Sequence, residues 1–167
     1  MSYAPTPFYE ELKRLLPPKF PHLGIIERYI VARWISREKI DERKLTFDYR
    51  LKPYLKPTIR TLIKTPEEEK MVVSLLGFRI DVIYEDDEKV QIIEVKDELN
   101  PSALGQVLVY TYLYMKERPT NKRVESWVIA GLDNPVLHEV YDAYNVKYYI
   151  AFTEGEYISL LNFLRKT

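Results

Sequence analysis

Two short apolar runs flanking an acidic turn constrain this chain more than any other feature. Phe78–Tyr84 and Val90–Lys96 are rich in Ile, Val and Tyr, and Glu85-Asp86-Asp87-Glu88 lies between them. β-Branched and aromatic residues in period-two alternation read as strands, and a polar cluster between them reads as a turn. The pair is predicted to be an antiparallel hairpin. In the first strand Ile80, Val82 and Tyr84 fall on one side and Arg79, Asp81 and Ile83 on the other. In the second, Ile93 and Val95 oppose Ile92, Glu94 and Lys96. Asp81 and Glu94 therefore sit mid-strand in otherwise apolar segments, and Lys96 shares a face with Glu94. Adjacent strands lie about 4.8 Å apart, so the two carboxylates can converge on one ion with the ammonium beside them. Such charges are costly in a sheet interior unless paired or metal-bound.

The remaining elements follow from periodicity and breakers. Pro5, Pro7, Pro17 and Pro18 crowd the first twenty residues, with a short helix predicted over Phe8–Leu16 and ended by Pro17-Pro18. From Pro21 to Glu38 the apolar residues recur at helical spacing, with Pro21 near the start. The stretch Arg43–Lys64 contains Pro53 and Pro57 and reads as strand and loop pieces. Lys70–Leu76 reads as a β-branched apolar strand broken by Gly77. Asn100-Pro101-Ser102 opens a helix to about Glu117, because proline suits the first helical turn. Val124–Ala130 is expected as a buried strand, Asn134–Tyr144 as a helix, Val146–Phe152 as a strand and Glu156–Arg165 as a helix. There is no repeat, linker or low-complexity segment, so residues 1–167 are read as one domain. The expected class is α/β: a mixed sheet flanked by helices, in the order helix, three strands, helix, strand, then helix, strand, helix.

Composition narrows the chemistry. The 167 residues are 46% hydrophobic and 30% charged, which suits one globular core. No apolar run is long enough to span a bilayer, and the N-terminus lacks a basic-then-apolar leader, so a cytoplasmic protein with no membrane partner is expected. Cysteine is absent and only His22 and His138 are histidines. That excludes disulfides, thiolate zinc sites and a cysteine nucleophile, and disfavours a multi-histidine centre. Any metal must be held mostly by oxygen, which suits Mg²⁺, with Mn²⁺ as a substitute. The 25 basic and 25 acidic residues cancel, but their distribution is uneven. Arg43, Lys44, Arg50, Lys52, Lys56, Arg60 and Lys64 face a single acid, Asp48, with Phe47, Tyr49 and Tyr54 interleaved. A basic stretch with interleaved aromatics suits contact with phosphates, although it is as often a solvated face. Abundant Glu, Lys, Ile and Tyr with scarce Gln point to a thermophile, and hence to an archaeal cytoplasm or that of an archaeal virus's host.

The motif spacing carries a resemblance. Phe78-Arg79-Ile80-Asp81-Val82-Ile83-Tyr84, then twelve residues from Asp81 to Glu94, then Glu94-Val95-Lys96, resembles the PD-(D/E)xK nuclease superfamily. The helix Ser102–Tyr110, with Gln106 and Tyr110 four apart, is similar to the QxxxY element of its RecB-like branch. The likeness covers roughly residues 21–152, with 43–64 as a basic insertion. Ile80 stands where many members have proline. The missing cysteines argue against iron–sulfur members. The resemblance implies a restriction-endonuclease-like fold and a Mg²⁺-dependent endo- or exonuclease acting on DNA in repair, recombination or mobile-element processing. It implies Asp81, Glu94 and Glu27 as metal ligands, with Lys96 and Gln106 completing the catalytic set. Tyr110, Arg50, Lys52, Lys56 and Arg60 are the candidate nucleic-acid contacts. A homodimer is common in the superfamily. RNA stays open as substrate, since contact to a 2′-hydroxyl has no sequence signature.

Each residue also has a plainer reading. Asp81 could pair with Lys96 or Arg79 in a structural salt bridge. Gln106 could face solvent, and Tyr110, Tyr112 and Tyr114 could be packing residues. Glu27, Asp97 and Glu98 could be solvated charges, and His22 and His138 structural or exposed. As a whole, the domain could serve as a non-catalytic nucleic-acid-binding or complex-assembly module on the same fold.

Overall fold

The computed structural model describes residues 7–167; Pro5 lies outside them. In chain order the elements are α1 (Phe8–Leu12), α2 (Ile25–Glu38), β1 (Leu45–Arg50), α3 (Pro57–Leu62), α4 (Pro66–Leu76), β2 (Arg79–Glu85), β3 (Lys89–Glu98), α5 (Pro101–Glu117), β4 (Arg123–Leu132), α6 (His138–Ala143), β5 (Val146–Ile150) and α7 (Glu154–Leu164). Among the described residues, no helix is long and apolar enough to cross a membrane.

The five strands form one open mixed sheet in the order β1-β2-β3-β4-β5. β1, β2 and β3 are antiparallel neighbours, whereas β3, β4 and β5 run parallel. The β2–β3 turn is held by Asp86, whose carboxylate accepts the Glu88 and Lys89 amides at 2.9 and 2.8 Å. A short acidic side chain that bonds the backbone just ahead of it is what makes such a turn tight. Connecting parallel β3 and β4 requires a crossover, and α5 supplies it. Asn100 accepts the Ala103 amide at 2.8 Å and Pro101 occupies the first helical turn, so α5 starts where caps and proline predict.

Helices cover both faces. α1, α2 and α7 pack on one side around Ile30, Val82, Ile93, Val95, Ile129 and Leu160; α5 and α6 pack on the other around Ile83, Ile92, Val107, Val128 and Tyr141.

Four expectations are corrected. Lys70–Leu76 is helical, not a strand: it is the body of α4. Thr65 accepts the Glu68 amide while Glu68 accepts the Thr65 amide, at 3.1 and 3.2 Å, and Pro66 follows the cap. This reciprocal cap nucleates a helix, on which Met71, Val72, Leu75 and Leu76 make a stripe at helical spacing. Gly77 ends that helix instead of a strand. The third antiparallel strand is β1, so residues 45–50 belong to the sheet and the excursion is α3 and α4. α2 begins at Ile25, not near Pro21, because Gly24 is its N-cap and residues 20–23 form a turn with a Phe20–Leu23 bridge. Finally, Ile80 packs with Ile83 on the α5 side, while Val82 packs on the α2 side. The period-two alternation breaks at Asp81.

Candidate active site

The break at Asp81 is shared by the strand beside it. β1 and β2 pair at Phe47–Val82 and at Tyr49–Ile80, but the Asp48–Asp81 position between them is unpaired. Asp48 has φ 54°, a left-handed conformation that aspartate tolerates better than most residues. Its carboxylate is held by Arg79 at 3.3 Å. On the other side the β2–β3 ladder stops at Val82–Ile93. Beyond it, one residue from Val82 and two from Ile93, the Val95 amide donates to Asp81 Oδ2 at 2.8 Å. The regular β2–β3 pairing ends there, and a cleft borders Asp81 and Glu94 at that point.

That cleft, a cavity of about 350 Å³, is lined by Asp81, Glu94, Lys96, Gln106 and Tyr110, together with His22, Ser74, Leu75, Gly77, Phe78 and Arg79. The five residues singled out from three separate sequence elements thus face one space. Glu94 is only 3% exposed. Its Oε1 accepts from Lys96 Nζ at 2.8 Å, as expected of residues two apart on one strand face. Its Oε2 is buried with no hydrogen-bond partner. The plainer pairings foreseen for Asp81 do not form: Lys96 goes to Glu94 and Arg79 to Asp48.

Burial dominates the electrostatics of the cleft, and the neighbouring carboxylates add to it. Burial, then the Glu94 charge, push Asp81 up to about 8 against the opposing Val95 hydrogen bond. Burial also raises Glu94, although the Lys96 hydrogen bond works the other way. Burial works against the Lys96 ammonium, but its hydrogen bond to Glu94 and the surrounding carboxylates outweigh it and raise its pKa. Tyr110 is raised by burial and then by Glu94. Glu27 is raised by burial, opposed by the Gly24 amide that it accepts at 2.7 Å. Its charge acts on Asp81 and Glu94, but it is not among the residues lining the cleft, and one of its oxygens is committed to capping α2.

On α5, Gln106 Nε2 donates to Tyr110 Oη at 3.4 Å, and Ser102 Oγ donates to Gln106 Oε1 at 3.4 Å. Tyr110 is buried and lies against Phe78, ring centroids 5.7 Å apart. The basic residues are elsewhere. Arg50, Lys52 and Arg60, with Lys70, line a separate cavity of about 820 Å³ on the Val73 side of α4; Lys56 borders neither space. Asp97 and Glu98 end β3 exposed, and His138 meets Asp133 at 2.7 Å.

His22 is exposed, as one of its two readings had it, but its place beside the site was not foreseen. It borders the cleft beside Asp81, as does Phe78. Neither carries a sequence signal: His22 reaches the site through the Phe20–Leu23 turn, and Phe78 through the close passage of Gly77, where a Cβ would lie 2.6 Å from the Val73 carbonyl oxygen.

Both carboxylates suit a hard divalent cation. The orphaned Glu94 Oε2 lacks a partner, burial disfavours both charges, and the acidic donors at the cleft are all oxygen. Among the described residues, no cluster of three or more His, Cys, Asp or Glu side chains forms a metal cage. Mg²⁺ is commonly held by one or two carboxylates, with waters and substrate phosphate completing its shell. The chain matches no family model, no curated protein and no solved structure.

Proposed function

We propose that this chain is a divalent-metal-dependent nuclease of the PD-(D/E)xK type, on a restriction-endonuclease-like fold, that hydrolyses phosphodiester bonds in DNA. The observation that carries the reading is the convergence of Asp81, Glu94, Lys96 and Gln106 on one cleft with Glu94 Oε2 buried and unpartnered. With α3 and α4 counted as an insertion between β1 and β2, the order α2, β1, β2, β3, α5, β4 with β3 central supports the fold assignment.

In this reading Asp81 and Glu94 are the residues that would hold Mg²⁺. The bound ion supplies Lewis acidity toward a phosphate oxygen and lowers the pKa of a water. Lys96, its ammonium beside Glu94, orients the attacking water or offsets charge growing on the phosphate. Gln106 hydrogen-bonds a water or a phosphate oxygen through its amide, and Tyr110 limits its rotation. Glu27 adds negative charge from the first turn of α2, outside the residues that line the cleft. The test is a cleavage panel of linear, circular, single-stranded and branched DNA, and RNA, with Mg²⁺, Mn²⁺ or EDTA, for the wild type and Glu94→Gln. Metal-dependent cleavage that Glu94→Gln abolishes is the expected result. Binding without cleavage by the wild type would turn the reading to a nucleic-acid-binding module.

A further inference from the structure

Residues 51–78 leave the sheet after β1 and return to it at β2. The Leu51 amide donates to the Phe78 carbonyl at 2.9 Å and closes the base of this excursion, where Leu51 and Leu55 are buried. Beyond the base, neither α3 nor α4 buries a side chain. On and just after α4, Met71 is 62%, Leu75 72%, Leu76 49% and Phe78 49% exposed. A surface helix normally turns its apolar stripe to the core, and α4 leaves its stripe in solvent.

α4 also divides two spaces. Ser74 and Leu75 line the cleft of Asp81 and Glu94, whereas Glu69, Lys70 and Val73 line the cavity of about 820 Å³ on its other side. In that cavity Arg50, Lys52, Arg60 and Lys70 stand against one acid, Glu69. Among the described residues none of these four cations makes an ion pair, while Arg79 and Lys96 of the cleft are both paired. Leu55, Ile63 and Val73 add apolar surface to the same cavity. Cations for a phosphate backbone beside apolar surface for base faces suit a strand whose bases are unpaired.

The divider is one helix, about 10–12 Å across. A helix of that width also enters a major groove, but there it turns Arg, Asn or Gln to the base edges. α4 turns out Met71 and Leu75 instead, four apart on one face. Its acids Glu67, Glu68 and Glu69 lie in the first turn, and its one cation, Lys70, is on the cavity side. Met, Leu and Phe are side chains that part base steps when they enter between them.

We propose that α4 is a wedge that parts the strands of a forked or fraying DNA duplex. Met71, Leu75 and Phe78 meet the last base pair, one strand passes into the cleft, and the other is taken by the cationic cavity on the far side of the helix. The fate of the strand in the cleft rests on the nuclease reading above, whereas strand parting is measured without cleavage. The probe is a forked duplex with 2-aminopurine in its last base pair, which brightens on unstacking, titrated with the full chain in EDTA. Fluorescence should rise to a plateau with the wild type. Met71→Ser should keep its circular dichroism and lose most of the rise at saturating protein. Arg60→Glu with Lys70→Glu should weaken fork binding at least about tenfold and remove the preference for a fork over a blunt duplex of the same length. No rise in the wild type, or an equal rise in Met71→Ser, would overturn the wedge even if Mg²⁺ supports cleavage. A normal rise with no cleavage in Mg²⁺ would sustain the wedge and count against the nuclease reading alone. Self-association that Met71→Ser abolishes in sedimentation velocity would give the stripe another occupant and overturn the proposal.

Discussion

The carboxylate of Asp81 takes the backbone amide of Val95 at 2.8 Å, just beyond the last β2–β3 pair. One side chain therefore both ends the ladder and faces the cleft. The two roles separate by substitution. Asp81→Asn keeps an acceptor for the Val95 amide but loses the charge, whereas Asp81→Ala loses both. Cleavage should vanish in both variants. Asp81→Ala should also melt below Asp81→Asn, by the about 1–2 kcal/mol of a lost buried hydrogen bond, or roughly 2–8 °C at this chain length. Calorimetry of the pair checks this, and equal melting temperatures would deny Asp81 its structural role.

The raised carboxyls set a pH dependence. Asp81 is moved from 3.8 to about 8, and Glu94 also upward. Between those limits the native chain binds more protons than the unfolded chain, so stability of the metal-free protein falls as pH rises from about 4 to about 8. The Lys96 contribution has its loss at higher pH, above 10.5. Mg²⁺ competes with these protons, so it should raise the melting temperature more at pH 8 than at pH 5. Asp81→Asn should flatten both trends. A metal-free melting temperature that climbs over this window would contradict the assignment.

Lys96→Ala should lower single-turnover cleavage by about 10²- to 10³-fold, the usual cost of losing a group that stabilises transition-state charge. Magnesium and DNA affinity should hold, because the substitution removes a cation from beside Glu94 without touching its carboxylate. Calorimetric titration with Mg²⁺ alongside the cleavage assay separates the two. Wild-type turnover would leave Lys96 as only the ion-pair partner that it is at 2.8 Å.

Gln106→Ala should sit between those extremes, about 10- to 100-fold down, as for groups acting one layer behind a metal ligand. Asp81→Ala and Glu94→Ala should lose more. Tyr110→Phe, which removes only the hydroxyl at 3.4 Å from Gln106, should cost less than Gln106→Ala. Single-turnover rates of the four variants at saturating Mg²⁺ give the ranking.

Charge reversal at Lys52 and Lys56 should weaken DNA binding and flatten its salt dependence, by about 0.9 in the slope of log K against log salt for each phosphate that no longer meets a cation. Arg50, Lys52 and Arg60 line their own cavity behind α4, so cleavage of DNA already bound should proceed at the wild-type rate. An unchanged slope would assign the stretch to a solvated face.

The sequence alone determined the hairpin, the crossover helix and the residues that meet between them. These signals are local: alternation across an acidic turn, an Asn-Pro cap, and an i, i+4 pair on one helix. What it left undecided has mostly non-local causes. Lys70–Leu76 is equally apolar as strand or helix; the Thr65–Glu68 cap ahead of it is a local helix signal that the apolar pattern overrode, whereas the arrival of β1 beside β2 as the third strand is the non-local part. The switch of Ile80 to the α5 side depends on Asp48 and Asp81 breaking their strands at the same level. His22 reaches the cleft through a turn whose placement depends on how α2 packs. The orphaned oxygen of Glu94 is a tertiary fact as well: spacing puts a carboxylate mid-strand, but only the packing of α5 over β3 removes water from it, and that desolvation makes the site favour a cation.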